Sequence, residues 1–272
     1  KALAVNPKSM AARDRQIAVL IATHKLDEAE RQTNAILQAN SKDSSGRLFE
    51  AQLKLARGQI DNALPLLQSL SQEEPRSPAP HHFLGVAYAK KGDLPQAVRE
   101  LSEVLTLAPN AIESHAVLAS VYLTQGSADL ALEQAQAVLR LNPKSVQAAT
   151  IMGEAYLRKN DTTKAGQVFE SIVKVAPNHE IAHYRLGLIA RSNKNPVEAL
   201  THFEQALKAK PDFIEPLAQI AAIKASQGKL AEARDRIKQH RELVPKNPLV
   251  YNLLGQLFTA TKEYDQAEAS FK

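Results

Sequence analysis

The sequence predicts an all-α protein, a solenoid of stacked helix-turn-helix units, on three observations. Pro7, Pro75, Pro109, Pro143, Pro177, Pro211 and Pro245 fall on one 34-residue grid that only Ser41 interrupts. A second grid of the same period carries Ala29, Ala63, Ala97, Ala131, Ala165, Ala199, Ala233 and Ala267 without exception. Between these marks apolar and small residues recur at helical spacing, as in Leu84, Gly85 and Tyr88, then Ala97, Leu101 and Val104. A unit of this length cannot bury its apolar face alone, so neighbours must stack and function must lie on a long surface.

With each grid proline set as position 32, residues 1–9 read as the tail of a preceding repeat. Seven full repeats then fill 10–247, namely 10–43, 44–77, 78–111, 112–145, 146–179, 180–213 and 214–247, and 248–272 begin an eighth. Both ends cut through a helix in this register, so one continuous solenoid and a piece of a longer protein are expected. Within each repeat, the first helix ends at position 15. Gly58, Gly92, Gly126 and Gly228 stand there, with Asn160 and His24 as substitutes, because the chain must turn through the left-handed region. Ser77 before Pro78, Asn247 before Pro248 and Asn195 before Pro196 read as N-caps followed by a first-turn proline.

The alanine at position 20 implies close helix packing. Position 8 is small for the same reason in Gly85, Ala119, Gly153, Gly187, Ala221 and Gly255, and is expected to face Tyr88, Tyr122 and Tyr156 at position 11. Pro65 falls inside the second helix of repeat two, where a kink or a late helix start is expected. With Gln16, Glu50 and Lys54 at usually apolar positions, the first two repeats should be looser or slightly shifted, and the N-terminal third could flex.

Composition narrows the chemistry. Of 272 residues 44% are hydrophobic and only 5% aromatic, and the absence of cysteine removes disulfides, thiolate metal sites and a cysteine nucleophile. The net charge of +5 is mild for an elongated body. No apolar run is long enough to span a membrane.

Two constellations could carry a site. His179, Glu180 and His183 spell HExxH, the spacing of a zinc hydrolase, for which Glu198, His202 or Glu204 would have to complete the ligands. Against this, His183 occupies position 4, as do His81 and His115, and no cofactor or metal is expected. Arg234, Lys238 and Arg241 form a basic stripe, with Lys224, Lys229, Arg236 and Lys246 nearby and Glu232, Asp235 and Glu242 partly offsetting it. It reads as a solvated outer face, or alternatively as a polyanion- or membrane-surface-binding module; without interleaved aromatics, nucleic acid is not expected.

The pattern resembles the tetratricopeptide repeat along essentially the whole chain. The match is strongest in Leu84, Gly85, Tyr88, Ala97 and Pro109, in Leu118, Ala119, Tyr122, Ala131 and Pro143, and in Met152, Gly153, Tyr156, Ala165, Phe169 and Pro177. The family's tryptophan position departs, holding Arg13, Arg47, His81, His115, Ala149, His183, Leu217 and Tyr251. The resemblance implies a right-handed superhelix whose first helices line a concave groove for a protein or peptide. Projected on this chain, the groove comprises Leu48, Gln52, His82, Val86, Lys90, Glu113, Ser120, Thr124, Thr150, Glu154, Arg158, Tyr184, Leu188, Arg191, Asn252 and Gln256, with Leu55 and Leu157 beside them. The family's clamp for a C-terminal carboxylate has no counterpart here, since position 5 reads Asp14, Leu48, His82, Ala116, Thr150, Tyr184, Ala218 and Asn252.

The chain therefore reads as a non-enzymatic scaffold. Similarity of its Ala/Gln-rich style to bacterial repeat proteins of exopolysaccharide production and export implies a periplasmic or envelope location. Self-association through the truncated end helices is a further expectation.

Overall fold

The computed structural model of the protein describes residues 10–272, so the expected tail 1–9, with Pro7, lies outside the described residues. Two compact bodies form, Lys1–Pro143 and Lys144–Lys272. In the first, α1 (Met10–Ala22) pairs with α2 (Leu26–Ala39), α3 (Ser44–Ala56) with α4 (Ile60–Glu73), α5 (Pro78–Lys91) with α6 (Leu94–Leu107), and α7 (Ile112–Gln125) with α8 (Ala128–Leu141). In the second, α9 (Val146–Arg158) pairs with α10 (Thr162–Val175), α11 (Glu180–Ser192) with α12 (Pro196–Ala209), α13 (Glu215–Ser226) with α14 (Leu230–Leu243), and α15 (Pro248–Ala260) with α16 (Tyr264–Phe271). Within each body every hairpin packs on the next. The described residues contain no strand.

Helix boundaries follow the register closely. Each complete second helix occupies positions 17 to 30, including those of repeats one and two, so the expected shift there does not occur. Glu50 and Lys54, at usually apolar positions, pair with each other at 3.2 Å along α3 and stay half-buried. Nor does Pro65 delay α4, which begins at Ile60 and runs through the proline. Pro65 and Asp61 are both exposed, so water can solvate the carbonyl that loses its donor. The late start is instead α13, where Pro216 sits in the first turn and the helix opens at Glu215, one position behind the others.

The turns take the expected backbone sign. Gly58, Gly92, Gly126 and Gly228 have φ between 75° and 85°, and His24 and Asn160 adopt 56° and 58°. Lys194 (59°) and Lys262 (63°) do the same without any sequence feature announcing it.

The alanine grid lies in the core: Ala29, Ala63, Ala97, Ala131, Ala165, Ala199 and Ala233 are 0% exposed and Ala267 4%. The small residue at position 8, however, faces position 24 rather than the tyrosines at position 11. A Cβ on Gly85 would sit 2.5 Å from Leu101, one on Gly153 2.7 Å from Phe169, and ones on Gly187 and Gly255 2.5 Å from Phe203 and Phe271. Where position 24 shrinks, position 8 grows: Ala119 shares its register with Ala135, and Ile17 with Thr33.

Capping departs at one expected position. Asn195 and Asn247 accept from the amides of Glu198 and Leu249, but Ser77 caps nothing. Pro80 removes the amide of the third helical residue, and the Ser77 side chain does not bond that of Ala79 at the second. Asp43, Asp93, Ser145, Asp161 and His179 supply the other side-chain caps.

Candidate partner-binding surface

All sixteen side chains assigned to the groove retain solvent access. They divide between the two bodies. In the first, Leu48 and Val86 pack on the core cluster around Leu67 and Leu84, presenting only an edge to solvent. Leu55 joins that cluster and is buried, so it supports the wall without lining it. His82 Nδ1 lies 2.8 Å from the buried Ser114 hydroxyl, and burial pushes the ring's pKa below its ordinary value despite the opposing charge of Glu113. Beside them is an apolar cavity of about 450 Å³ bounded by Pro78, Phe83 and Val104. Lys90, Glu113 and Thr124 are exposed, and Gln52 is half-buried. The hydroxyls of Ser120 and Thr124 donate to carbonyls one turn back on α7, leaving their lone pairs as acceptors.

In the second body Tyr184 stands against Phe213 edge to face, with ring centroids 5.0 Å apart, and against Phe203 at 5.9 Å. Leu188 packs on the same cluster. Leu157 packs on the preceding one, around Phe169. Glu154 is already paired: Arg185, one repeat on along α11, donates to it at 2.5 Å and lies over the Tyr184 ring. Arg191 donates to the Gln219 carbonyl oxygen on α13. Thr150 bonds its own helix, and Arg158, Asn252 and Gln256 are exposed. Between α13 and α15 lies a cavity of about 310 Å³, with Ile214, Ala218 and Leu253 as apolar walls and Glu215, Asn252 and Gln256 as polar rim. Arg185, Gln219 and Leu253 share position 6, which the projection from sequence passed over; opposite charges on Glu154 and Arg185, 31 residues apart, were the available clue.

The HExxH residues serve the repeat junction. His179 Nδ1 accepts the Ala182 amide at 3.1 Å as the cap of α11. His183, only 8% exposed, donates from Nε2 to the Pro177 carbonyl at 2.9 Å, so its Nδ1 must accept the Nδ1 proton of His202, 3.1 Å away. His115 and Tyr251, also at position 4, donate likewise to the Pro109 and Pro245 carbonyls. Repeat seven has Leu217 there, and His240 of α14, 1% exposed, reaches the Pro211 carbonyl in its place. Both His183 nitrogens are thus committed within the fold, and the described residues contain no group of three side chains able to hold a metal ion.

The basic stripe does not form a solvated outer face. Arg236 chelates Glu204 on α12 at 2.7 and 2.8 Å, Lys224 pairs with Glu232, and Arg234 lies between Asp235 and Glu263. Lys238 and Arg241 lie over the rings of Phe258 and Tyr251 on α15. The stripe fills the seam between consecutive hairpins, where long aliphatic stems cover apolar surface. No described helix is long and apolar enough to cross a membrane.

Comparison with known proteins agrees with this geometry. Two tetratricopeptide repeat family models match, one over residues 54–121 and 190–257 and the other over 117–180 and 167–212. A search of curated protein sequences finds no significant match. Among solved structures, the Cut9–Hcn1 hetero-tetramer of APC/C superposes with a TM-score of 0.73 over 94% of this chain at 16% identity; this chain spans 50% of that one. MamA from Desulfovibrio magneticus RS-1, residues 41 to the end, gives 0.59 at 25% identity, covering 63% of this chain and 97% of its own. YrrB, a TPR protein with an unusual peptide-binding site, gives 0.57 at 19% identity, covering 68% and 95%. On the residues matched, the repeat register and the helix pairs, the chain belongs to the tetratricopeptide repeat family.

Proposed function

We propose that the protein is a non-enzymatic scaffold that binds a polypeptide segment of a partner on the face made by its first helices. The observation that carries this reading is the α13–α15 cavity, whose apolar walls can take one side chain while Asn252 and Gln256 on its rim can hydrogen-bond a main chain. The membership of a family that includes YrrB, with its peptide-binding site, supports the same reading. In the first body the proposed contacts are Leu48, Gln52, His82, Val86, Lys90, Glu113, Ser120 and Thr124. In the second they are Thr150, Glu154, Arg158, Tyr184, Leu188, Arg191, Asn252 and Gln256. We assign the scaffold to a bacterial envelope or exopolysaccharide-export assembly on sequence resemblance, which cell fractionation tests.

The binding test is affinity capture from an envelope extract with the wild-type chain and with Asn252→Arg plus Gln256→Arg. Both side chains are exposed, so the substitutions leave the core packing in place. Loss of a captured polypeptide in the variant is expected. Equal recovery by both proteins overturns this face as the binding surface.

A further inference from the structure

We propose a second element of recognition on the same body: a cationic cavity beside the α11–α12 turn that takes an acidic segment of the partner, with one aliphatic side chain seated in it. This deepens the peptide-binding reading and rests on it. The cavity measures about 450 Å³ and lies between Arg191, Lys194 and Pro196 on one side and Ala222, Ile223 and Ser226 of α13 on the other. Buried Ile223 makes an apolar floor, and two cations stand above it.

Charge at this edge is unbalanced in a specific way. Two carboxylates nearby are ion-paired, Glu154 by Arg185 at 2.5 Å and Glu232 by Lys224 at 2.8 Å, while Glu198 is held by the neutral Asn195 amide at 2.7 Å and keeps its charge. The cations are not ion-paired. Among the described residues Arg191 is held only by a neutral amide, that of Gln219, and neither Lys194 nor the exposed Arg158 at the end of α9 has a carboxylate partner. Holding Arg191 by an amide keeps its charge while fixing its direction, and most guanidinium donors stay free for a carboxylate.

The arrangement belongs to this repeat rather than to the fold. At the corresponding positions repeats three and four have Ala89 with Gly92 and Leu123 with Gly126. Lys194 moreover carries its charge in a left-handed backbone conformation that glycine adopts at lower cost. An acidic peptide suits the site better than nucleic acid, since no aromatic ring lines the cavity for base stacking. It suits it better than a lipid surface, since the apolar part is recessed rather than projecting.

The experiment is fluorescence anisotropy with the full chain and a fluorescein-labelled, C-terminally amidated peptide in which leucines are flanked by glutamates. A copy with glutamine for glutamate is the control. Expected is saturable binding of the acidic peptide alone, weakened by salt and by at least about tenfold in Arg191→Glu with Lys194→Glu. Lys194→Gly is the second variant: it removes the charge at a position whose backbone glycine adopts without strain, so weaker binding with an unchanged thermal midpoint separates recognition from folding. Absence of binding, equal binding of the glutamine peptide, unchanged affinity in both variants, or tighter binding of phosphatidylglycerol vesicles than of the peptide each overturns the proposal. If it falls while Asn252→Arg with Gln256→Arg still abolishes capture, the groove reading survives alone.

Discussion

A methyl group on Gly187 would lie 2.5 Å from the Phe203 ring, and two terms oppose each other there. Replacing a helical glycine by alanine gains about 1 kcal/mol of helix propensity. Overpacking a full core costs about 1–3 kcal/mol, and Phe203 is 0% exposed with nowhere to move. Gly187→Ala should therefore lower stability by up to about 2 kcal/mol in urea unfolding, and adding Phe203→Leu should restore much of it by recreating the Ala51 and Leu67 pair of repeat two. A stabilised single mutant would refute the contact. Lys194 presents the opposite case. A left-handed non-glycine residue costs about 1–2 kcal/mol, more than the roughly 0.3–1 kcal/mol that a cation recovers from the adjacent helix end. The greater chain entropy of glycine, about 0.5–1 kcal/mol, offsets most of the remainder, so Lys194→Gly should leave stability within about 1 kcal/mol of the wild type, read as a nearly unchanged thermal midpoint.

Between elements, the position-4 side chains His115, His183 and Tyr251 each tie a first helix to the proline carbonyl that follows the preceding second helix. His183→Leu strands the Pro177 carbonyl and the His202 donor together, and should cost about 2–3 kcal/mol in urea unfolding. Leucine is tolerated at position 4 in repeat seven because His240 covers the Pro211 carbonyl. A neutral His183→Leu would show that water replaces the bond. Helix limits were legible from the 34-residue grid because propensity, turn glycines and prolines all act within one repeat. The engagement of Arg236 with Glu204, 32 residues away, was not, because it depends on how neighbouring hairpins stack.

Over the whole chain, both bodies carry a histidine whose charged form folding disfavours. Burial lowers the pKa of His82 in one and of His202 in the other, where the nearby His183 lowers it further. The unfolded chain then binds protons more readily than the folded one, so stability is full above the ordinary value of 6.5 and falls as pH drops from there towards the depressed folded values. Urea midpoints should decline between neutral pH and about pH 5. The decline should shrink in His202→Gln, and an unchanged slope would remove that ring as a cause. Because nearest-neighbour contacts dominate such arrays, these losses are expected to stay local to the repeats concerned.

The amino-acid order by itself determined the period, the pairing of helices, the sign of the backbone at most turns and the buried alanine grid, since each rests on residues within a single repeat. Tertiary structure alone decided which polar side chains remain available. It committed His183 to a junction, drew the Arg234–Lys238–Arg241 stripe onto α15 and paired Glu154, while leaving Arg191 and Lys194 without carboxylates. The physical reason is distance along the chain. A hydrogen bond between residues 19 or 31 apart forms only when two helix faces meet at the right rotation, and the repeat period brings those faces together without specifying which side chains will satisfy one another.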